Sequence, residues 1–240
     1  VGSSHDTVLF MTDRGRVYRL KGYQVPEGGR TAKGSHIVNL LQLQEGEQVT
    51  GMLRQPADID EEHSYLTTVT RQGVIKRTPL SQYRNIRKAG LNAVALNEGD
   101  SLVWSHLTNG EDDLIIATHD GAAIHFQEGD ARPMGRSGHG VRAIRLREGD
   151  YVVGVGVCRP GATLLTVTEE GKGRRSLVDD YRTTKRGGLG IRNYAKGGVA
   201  AVKIVDDTDD LILISANGIL IRMHADDINI QSRYGSGVRV

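Results

Sequence analysis

The chain has 240 residues, 38% of them apolar, and a formal net charge of only +2 from 31 basic and 29 acidic side chains. Its one cysteine, Cys158, excludes an internal disulfide and a cysteine-rich zinc site, and fits a reducing compartment. No apolar run approaches the roughly 20 residues a membrane-spanning helix needs, the N-terminus has no signal-peptide pattern, and the glycines and prolines follow no collagen-like period.

The first predicted element is a strand, Val8–Met11, closed by the turn Thr12-Asp13-Arg14-Gly15 and answered by a second strand, Arg16–Lys21. The same phrase returns four times. Leu66–Val69 leads through Thr70-Arg71-Gln72-Gly73 to Val74–Thr78, and Leu114–Ala117 leads through Thr118-His119-Asp120-Gly121 to Ala122–Phe126. Leu164–Val167 leads through Thr168-Glu169-Glu170-Gly171 to Arg174–Val178, and Leu211–Ile214 through Ser215-Ala216-Asn217-Gly218 to Ile219–Met223. The turn glycines are 58, 48, 50 and 47 residues apart. A period of this length marks a blade or solenoid array.

In each unit a longer loop then ends in a second glycine: Gly34, Gly90, Gly140, Gly190 or Gly237. A third strand follows, with apolar and mostly basic residues alternating, as in Val141–Leu146. A Glu-Gly turn leads to a fourth strand, best seen at Tyr151–Cys158. Four strands per repeat and no helical period predict an all-β, propeller-like array of four-stranded blades. The repeats are expected at about 6–57, 62–110, 111–161, 162–207 and 208–240, in a single domain over 1–240. The last stops inside its third strand, so the sequence is expected to be part of something longer, with six blades in the intact domain.

The near-zero net charge hides a pattern. Arg71 to Lys88 holds six basic residues and no acidic one, and Gly171 to Lys196 holds eight against two. Acidic residues collect at Asp58 to Glu62, Glu111 to Asp113 and Asp206 to Asp210. Folding that superimposes the repeats would yield a basic band and an acidic face. The two glycines give a frame for these charges. Four residues after the first stand Arg19, Arg77, His125, Arg175 and Arg222; four before the second stand Arg30, Arg136, Arg186 and Arg233, with Arg87 and Lys88 nearby in the shortened unit. Core packing is not expected to require a cation there. The bland alternative is a solvated, aggregation-resistant strand edge. The sharper one is a track of guanidinium groups for phosphate.

The loop Lys185-Arg186-Gly187-Gly188-Leu189-Gly190 lacks the Gly-Lys-Ser/Thr of a nucleotide-binding loop, so no nucleotide site is expected. Aromatics are only 5% of the chain, which favours double-stranded over single-stranded nucleic acid. Tyr23, Tyr83 and Tyr181, each just after a second strand, read as packing residues. No catalytic constellation and no metal site are expected: the eight histidines, among them His36, His63 and His106, have no ligand spacing to one another or to Cys158. Asp206-Asp207-Thr208-Asp209-Asp210 lacks the Gly and Glu of a calcium loop and reads as an acidic turn.

These motifs resemble a known family. Gly22-Tyr23-Gln24-Val25-Pro26-Glu27 with Arg30-Thr31-Ala32-Lys33-Gly34 and Ile37-Val38-Asn39-Leu40-Leu41, and later Arg132-Pro133-Met134-Gly135-Arg136, Gly138-His139-Gly140-Val141-Arg142 and Arg145-Leu146-Arg147-Glu148-Gly149-Asp150, are similar to the C-terminal domain of bacterial DNA gyrase A. The resemblance runs through essentially the whole chain. It implies a β-pinwheel, in which blades exchange strands, with duplex DNA wrapped on the basic perimeter to direct negative supercoiling. It implies a non-catalytic domain without cofactor, ATP and Mg being used elsewhere in the parent type II topoisomerase. The implied partners are double-stranded DNA and, in an A2B2 complex, the rest of gyrase A together with gyrase B. The isolated domain is expected to be monomeric, in the bacterial cytoplasm at the nucleoid.

The DNA-contacting residues so implied are Arg19, Arg30 and Lys33 in the first repeat and Lys76, Arg77, Arg84, Arg87 and Lys88 in the second. The third supplies Arg132, Arg136 and Arg142, the fourth Lys172, Arg174, Arg175, Arg182, Lys185, Arg186 and Arg192, and the fifth Arg222 and Arg233. The family's basic heptapeptide box is absent; family order puts it upstream of Val1, and without it the chain is expected to bind DNA but wrap it poorly. Arg233-Tyr234 reads as part of the rim, not as a nucleophile. The alternatives are the equivalent C-terminal domain of topoisomerase IV and, in a different class, a protein-interaction propeller, which would carry aromatic or apolar blade loops.

Overall fold

The computed structural model describes residues 1–240. Apart from six 3₁₀ turns, its regular structure is all β-strand. The first repeat contributes β1 (Thr7–Thr12), β2 (Arg16–Lys21) and β3 (Val49–Gln55). The second contributes β4 (Tyr65–Thr70), β5 (Val74–Pro79), β6 (Leu91–Asn92) and β7 (Leu102–Thr108). The third has β8 (Asp113–Thr118), β9 (Ala122–Gln127), β10 (Val141–Arg142) and β11 (Val152–Val157). The fourth has β12 (Thr163–Thr168), β13 (Lys172–Leu177), β14 (Ile191–Arg192) and β15 (Val199–Val205). The fifth has β16 (Asp210–Ile214), β17 (Leu220–His224) and β18 (Val238–Arg239). The chain divides into two compact units, Val1–Glu111 with Ala131–Val141 and Asp112–Asp130 with Arg142–Val240.

The recurring turn builds each hairpin through one set of bonds. The glycine N–H donates to the carbonyl of the Thr or Ser three residues before it, at 2.9–3.2 Å. The hydroxyl of that Thr or Ser accepts from the N–H just beyond the glycine: Thr70 Oγ1 from Val74 at 3.2 Å, Thr118 Oγ1 from Ala122 at 3.1 Å, Thr168 Oγ1 from Lys172 at 3.1 Å and Ser215 Oγ from Ile219 at 3.0 Å. A short hydroxyl side chain four residues back is therefore part of the turn, which is why alternatives such as Ala or Val are not found in the motif.

The sheets run β3-β1-β2-β6, β10-β5-β4-β7, β11-β8-β9-β14 and β15-β12-β13-β18, with β16 and β17 paired alone. The first, second and fourth strands of a sheet come from one repeat, whereas the third predicted strand is handed back to the preceding sheet. Arg16 pairs with Asn92, Ile191 with Ala123, and Lys172 with Arg239. This exchange identifies the fold as a β-pinwheel. It also corrects the sequence reading of a third strand over Val141–Leu146: only Val141 and Arg142 are strand, and Ala143 and Ile144 are both buried, so alternation ends after two residues. In the first repeat Ile37–Asn39 is a 3₁₀ turn and no third strand forms.

The core is correspondingly a series of thin layers between successive repeats. In the first unit Leu9, Met11 and Val17 pack with Leu66, Leu80 and Tyr83 from the next repeat. In the second, Ile115, Ala117 and Ala123 pack with Leu164, Val178 and Tyr181. Tyr83, in the 3₁₀ turn after β5, and Tyr181, just past the one after β13, are buried members of these layers. Tyr23 departs from that expectation and is 68% exposed.

The handed-back segment passes so close to the neighbouring hairpin that a side chain has no room. Gly121 has φ +95°, and a Cβ there would lie 1.9 Å from the Tyr194 carbonyl oxygen; the Gly121 carbonyl itself accepts the N–H groups of Asn193 and Tyr194. Gly149 has φ +79° but open space around it. Gly149→Ala is therefore expected to cost about 1 kcal/mol, and Gly121→Ala at least ~3 kcal/mol. Urea unfolding midpoints of the two variants against the parent chain check this; equal losses would mean that φ alone, and not the strand passage, demands glycine at Gly121.

Candidate functional site

The structure sorts the periodic cations into two groups. In the second, third and fourth repeats the side chain four residues after the turn glycine is buried and binds the main chain just after the second strand of the next repeat. Arg77 Nε donates to Ala131 O at 2.7 Å, Arg175 Nε to Ile228 O at 2.7 Å, and His125 Nδ1 to Tyr181 O at 2.7 Å. In the first repeat the exposed Arg19 Nη1 reaches Arg84 O at 2.6 Å from the surface. At the same station the main chain forms parallel bridges, Arg77 to Pro133, His125 to Thr183 and Arg175 to Ile230. Arg77 and Arg175 are each 3% exposed. In these repeats the fold does require a donor here, contrary to the sequence expectation: it ties the second strand of one repeat to the loop after the second strand of the next.

One residue earlier on the same strands, Lys76 and Arg174 are buried as well. Lys76 Nζ donates to Ala93 O at 2.8 Å and to Arg136 O. Arg174 donates to Asn193 O and Oδ1 at 2.6 and 2.8 Å, and to Arg233 O and Gly235 O at 2.9 and 3.1 Å. Burial pushes the Lys76 ammonium down to about 8, because its partners are neutral carbonyls and the Arg136 charge lies nearby. Lys76, Arg77, Arg174 and Arg175 are thus inside the protein, away from any ligand on the surface.

The cations set by the second glycine and its loops face outward. Arg30, Lys33, Arg87, Lys88, Arg132, Arg136, Arg142, Arg182 and Arg192 are exposed, and no salt bridge in the structure engages them. Arg186 and Arg233 are half-buried and fix the handed-back strands: Arg186 donates to Asp130 O and Arg142 O, both at 2.9 Å, and Arg233 to Arg192 O at 2.6 Å. Hydrogen bonds to carbonyls hold these guanidinium groups without neutralising them. Lys172 is half-buried, Lys185 lies 3.5 Å from Asp130, and Arg84 is paired with both Glu61 and Glu62 at 2.5 and 2.6 Å. Arg222, also exposed, is paired with Asp210.

Within the second unit these residues line two concavities. One, of about 310 Å³, is bordered by Arg145, Arg147 and Arg192 with Asp120 and Asp150. The other, of about 490 Å³, is bordered by Arg182, Arg192, Arg233, Asp180 and Tyr234. Sequence reasoning singled out neither Arg145 nor Arg147, although the alternation Val141-Arg142-Ala143-Ile144-Arg145-Leu146-Arg147 holds the signal. In the first unit Arg14 and Arg136 border a similar depression with Gln82 and Asn92.

Other chemistry-bearing groups are occupied by the fold. His119, in the turn of the third repeat, lies between Asp120 at 2.9 Å and Glu169 at 3.0 Å, and the bond to Asp120 with Glu169 behind it holds its pKa above the ordinary histidine value. His119, Asp120 and Asp150 bring ligand atoms within 4.8 Å, but Asp150 already accepts the N–H groups of Asp120 and Tyr151. Cys158 Sγ lies 3.8 Å from His125 Nε2, an adjacency invisible in sequence; burial pushes the thiol up to about 12, so it stays neutral. Arginines cap the acidic turn: Arg159 binds Asp206 and Asp209, and Arg175 binds Asp207.

The chain is similar in sequence and fold to known proteins. The family model of the DNA gyrase C-terminal domain, beta-propeller, matches residues 6–56, 64–109, 112–159, 162–207 and 209–240. The DNA gyrase A protein of Clostridium acetobutylicum is 44% identical over 99% of this chain, and that of Staphylococcus aureus 40% identical over 99%. The chain spans 29% and 27% of those proteins. Among solved structures, a DNA gyrase A C-terminal domain superimposes with a TM-score of 0.83 at 25% identity, covering 99% of this chain and 78% of that one. A topoisomerase IV C-terminal domain does so with a TM-score of 0.90 at 24% identity, covering 99% and 75%.

Two outcomes separate the buried cations from the exposed ones. Arg175→Ala strands the Ile228 carbonyl and is expected to lower stability by about 2–3 kcal/mol, whereas Arg182→Ala leaves the urea midpoint unchanged. The Lys76 ammonium titrates near 8 in the folded chain and near 10.5 when unfolded. Between those values the unfolded chain binds more protons, so this residue makes stability rise with pH. Lys76→Met removes that rise, and the difference between parent and variant midpoints at pH 7.5 and pH 10 reports it; an unchanged difference would show that the ammonium is not held at a lowered pKa.

Proposed function

This chain belongs to the DNA gyrase C-terminal domain family, and we propose that it is a non-catalytic domain that binds and wraps duplex DNA. The observation that carries this reading is the set of outward arginines and lysines that the fold positions but leaves without counter-ions. Phosphate is the matching ligand: its oxygens accept the paired N–H groups of a guanidinium, and it brings the missing negative charge. Direct reading of base edges has little support, because the loops carry charge and glycine rather than a helix or ribbon for the major groove. Affinity then comes from backbone contacts, and any preference among sequences from how readily the duplex bends.

In the parent protein, the reading is that this domain bends DNA around its basic surface and directs the crossing that a type II topoisomerase converts into negative supercoils. ATP and Mg act elsewhere in an A2B2 complex of gyrase A and gyrase B, and this domain needs no cofactor. Gyrase is favoured over topoisomerase IV because the full-length relatives at 40–44% identity are gyrase A proteins, while the topoisomerase IV likeness supports the fold alone. The polar and basic loops weigh against a protein-interaction propeller.

Anisotropy titration of a duplex across 50–200 mM salt tests the proposal. Affinity is expected to fall by orders of magnitude, with log K linear in log salt. Replacing Arg142, Arg182 and Arg192 together by Ala is expected to flatten the slope by about 0.9 per lost contact without changing the melting temperature. A salt-independent affinity, or a slope indifferent to the triple replacement, would overturn the reading.

A further inference from the structure

The rim position three residues before the second glycine is occupied by Thr31, Arg87, Ser137, Gly187 and Tyr234. Only the fifth repeat places a ring there, and that ring is 67% exposed. Packing does not ask for it, since small residues serve the same place in the third and fourth repeats. Yet it is firmly mounted. Buried Arg174 donates to the carbonyls on both sides of Tyr234, Arg233 O and Gly235 O. The Arg233 guanidinium lies 5.3 Å from the Tyr234 ring centre and 6.0 Å from that of buried Tyr181, and Arg192 lies 5.8 Å from the Tyr234 ring. The adjoining concavity is bordered by Arg182, Arg192 and Arg233.

We propose that Tyr234 is a stacking contact for a base displaced from the helix of bound DNA, with Arg182, Arg192 and Arg233 holding the phosphates beside it. The inference rests on the duplex-binding reading above and extends it. An exposed aromatic flanked by cations is the arrangement by which proteins hold unstacked bases. In an intact duplex both faces of each base are covered, so the ring gains its contact only where a step is kinked open or a base is unpaired. Tyr234 thus makes the fifth repeat selective for locally disrupted duplex, whereas the other repeats, with Thr, Arg, Ser or Gly at this place, grip regular backbone.

The test compares a fully paired 30-base-pair duplex with the same duplex carrying one bulged 2-aminopurine, at a single salt concentration. The parent chain is expected to bind the bulged duplex about tenfold more tightly and to quench the 2-aminopurine. Tyr234→Ala loses the preference and the quenching but keeps its affinity for the paired duplex, and Tyr234→Phe retains both. Equal affinities for the two duplexes in the parent chain, or a preference that survives in Tyr234→Ala, would overturn the stacking role while leaving duplex binding intact. Failure to bind either duplex would overturn both readings.

Discussion

The structure depends on one close approach: in the second to fifth repeats a short segment lies directly against the hairpin of the repeat before it. At Gly121 the approach is main chain on main chain, with the Asn193 and Tyr194 N–H groups on the glycine carbonyl. At Gly190 the geometry is reciprocal, since a Cβ there would sit 2.3 Å from the Ala123 carbonyl oxygen. Gly121, the turn glycine of the third repeat, and Gly190, the second glycine of the fourth, are thus the two sides of one contact. Their regular spacing in sequence is the footprint of a strand that belongs to one repeat and is used by another.

Around that contact the fold uses arginine as a bridging group. Arg77, Arg174, Arg175, Arg186 and Arg233 all donate to main-chain carbonyls from a neighbouring loop or strand. Several N–H groups on one planar head let a single side chain satisfy carbonyls that no strand reaches. Because carbonyls are neutral, the positive charge survives. Stability and surface potential therefore have a common source: the groups that secure the exchanged strands at Arg186 and Arg233 also raise the potential of the loops next to them.

Much of this was legible in sequence. The hairpins, the turn residues and the repeat length followed from apolar runs and Thr-x-x-Gly, because local bonds set them. The period of the cations was equally plain, but their role was not. Arg175 and Arg182 are both arginines in the basic stretch of the fourth repeat; one is buried on Ile228 O and the other is exposed, and what decides between them is a partner more than 50 residues away. The third strand was overextended for the same reason. Alternation after Val141 describes a strand with one wet face, whereas Ala143 and Ile144 are covered by elements whose approach no local pattern encodes. Tyr234 was visible as a rim residue, and its mounting by Arg174 became visible only in three dimensions.

Strand exchange also orders the birth of the molecule in time. The pairing of Arg16 with Asn92 joins residues 76 positions apart, so a sheet cannot be finished when its own hairpin has been synthesised. It waits until most of the next repeat has left the ribosome. Each completed sheet thus depends on the arrival of its successor, giving a vectorial assembly that advances one repeat behind translation. Long-range closures of this kind slow folding relative to a string of self-contained hairpins, and in return they tie each repeat to the one that follows it.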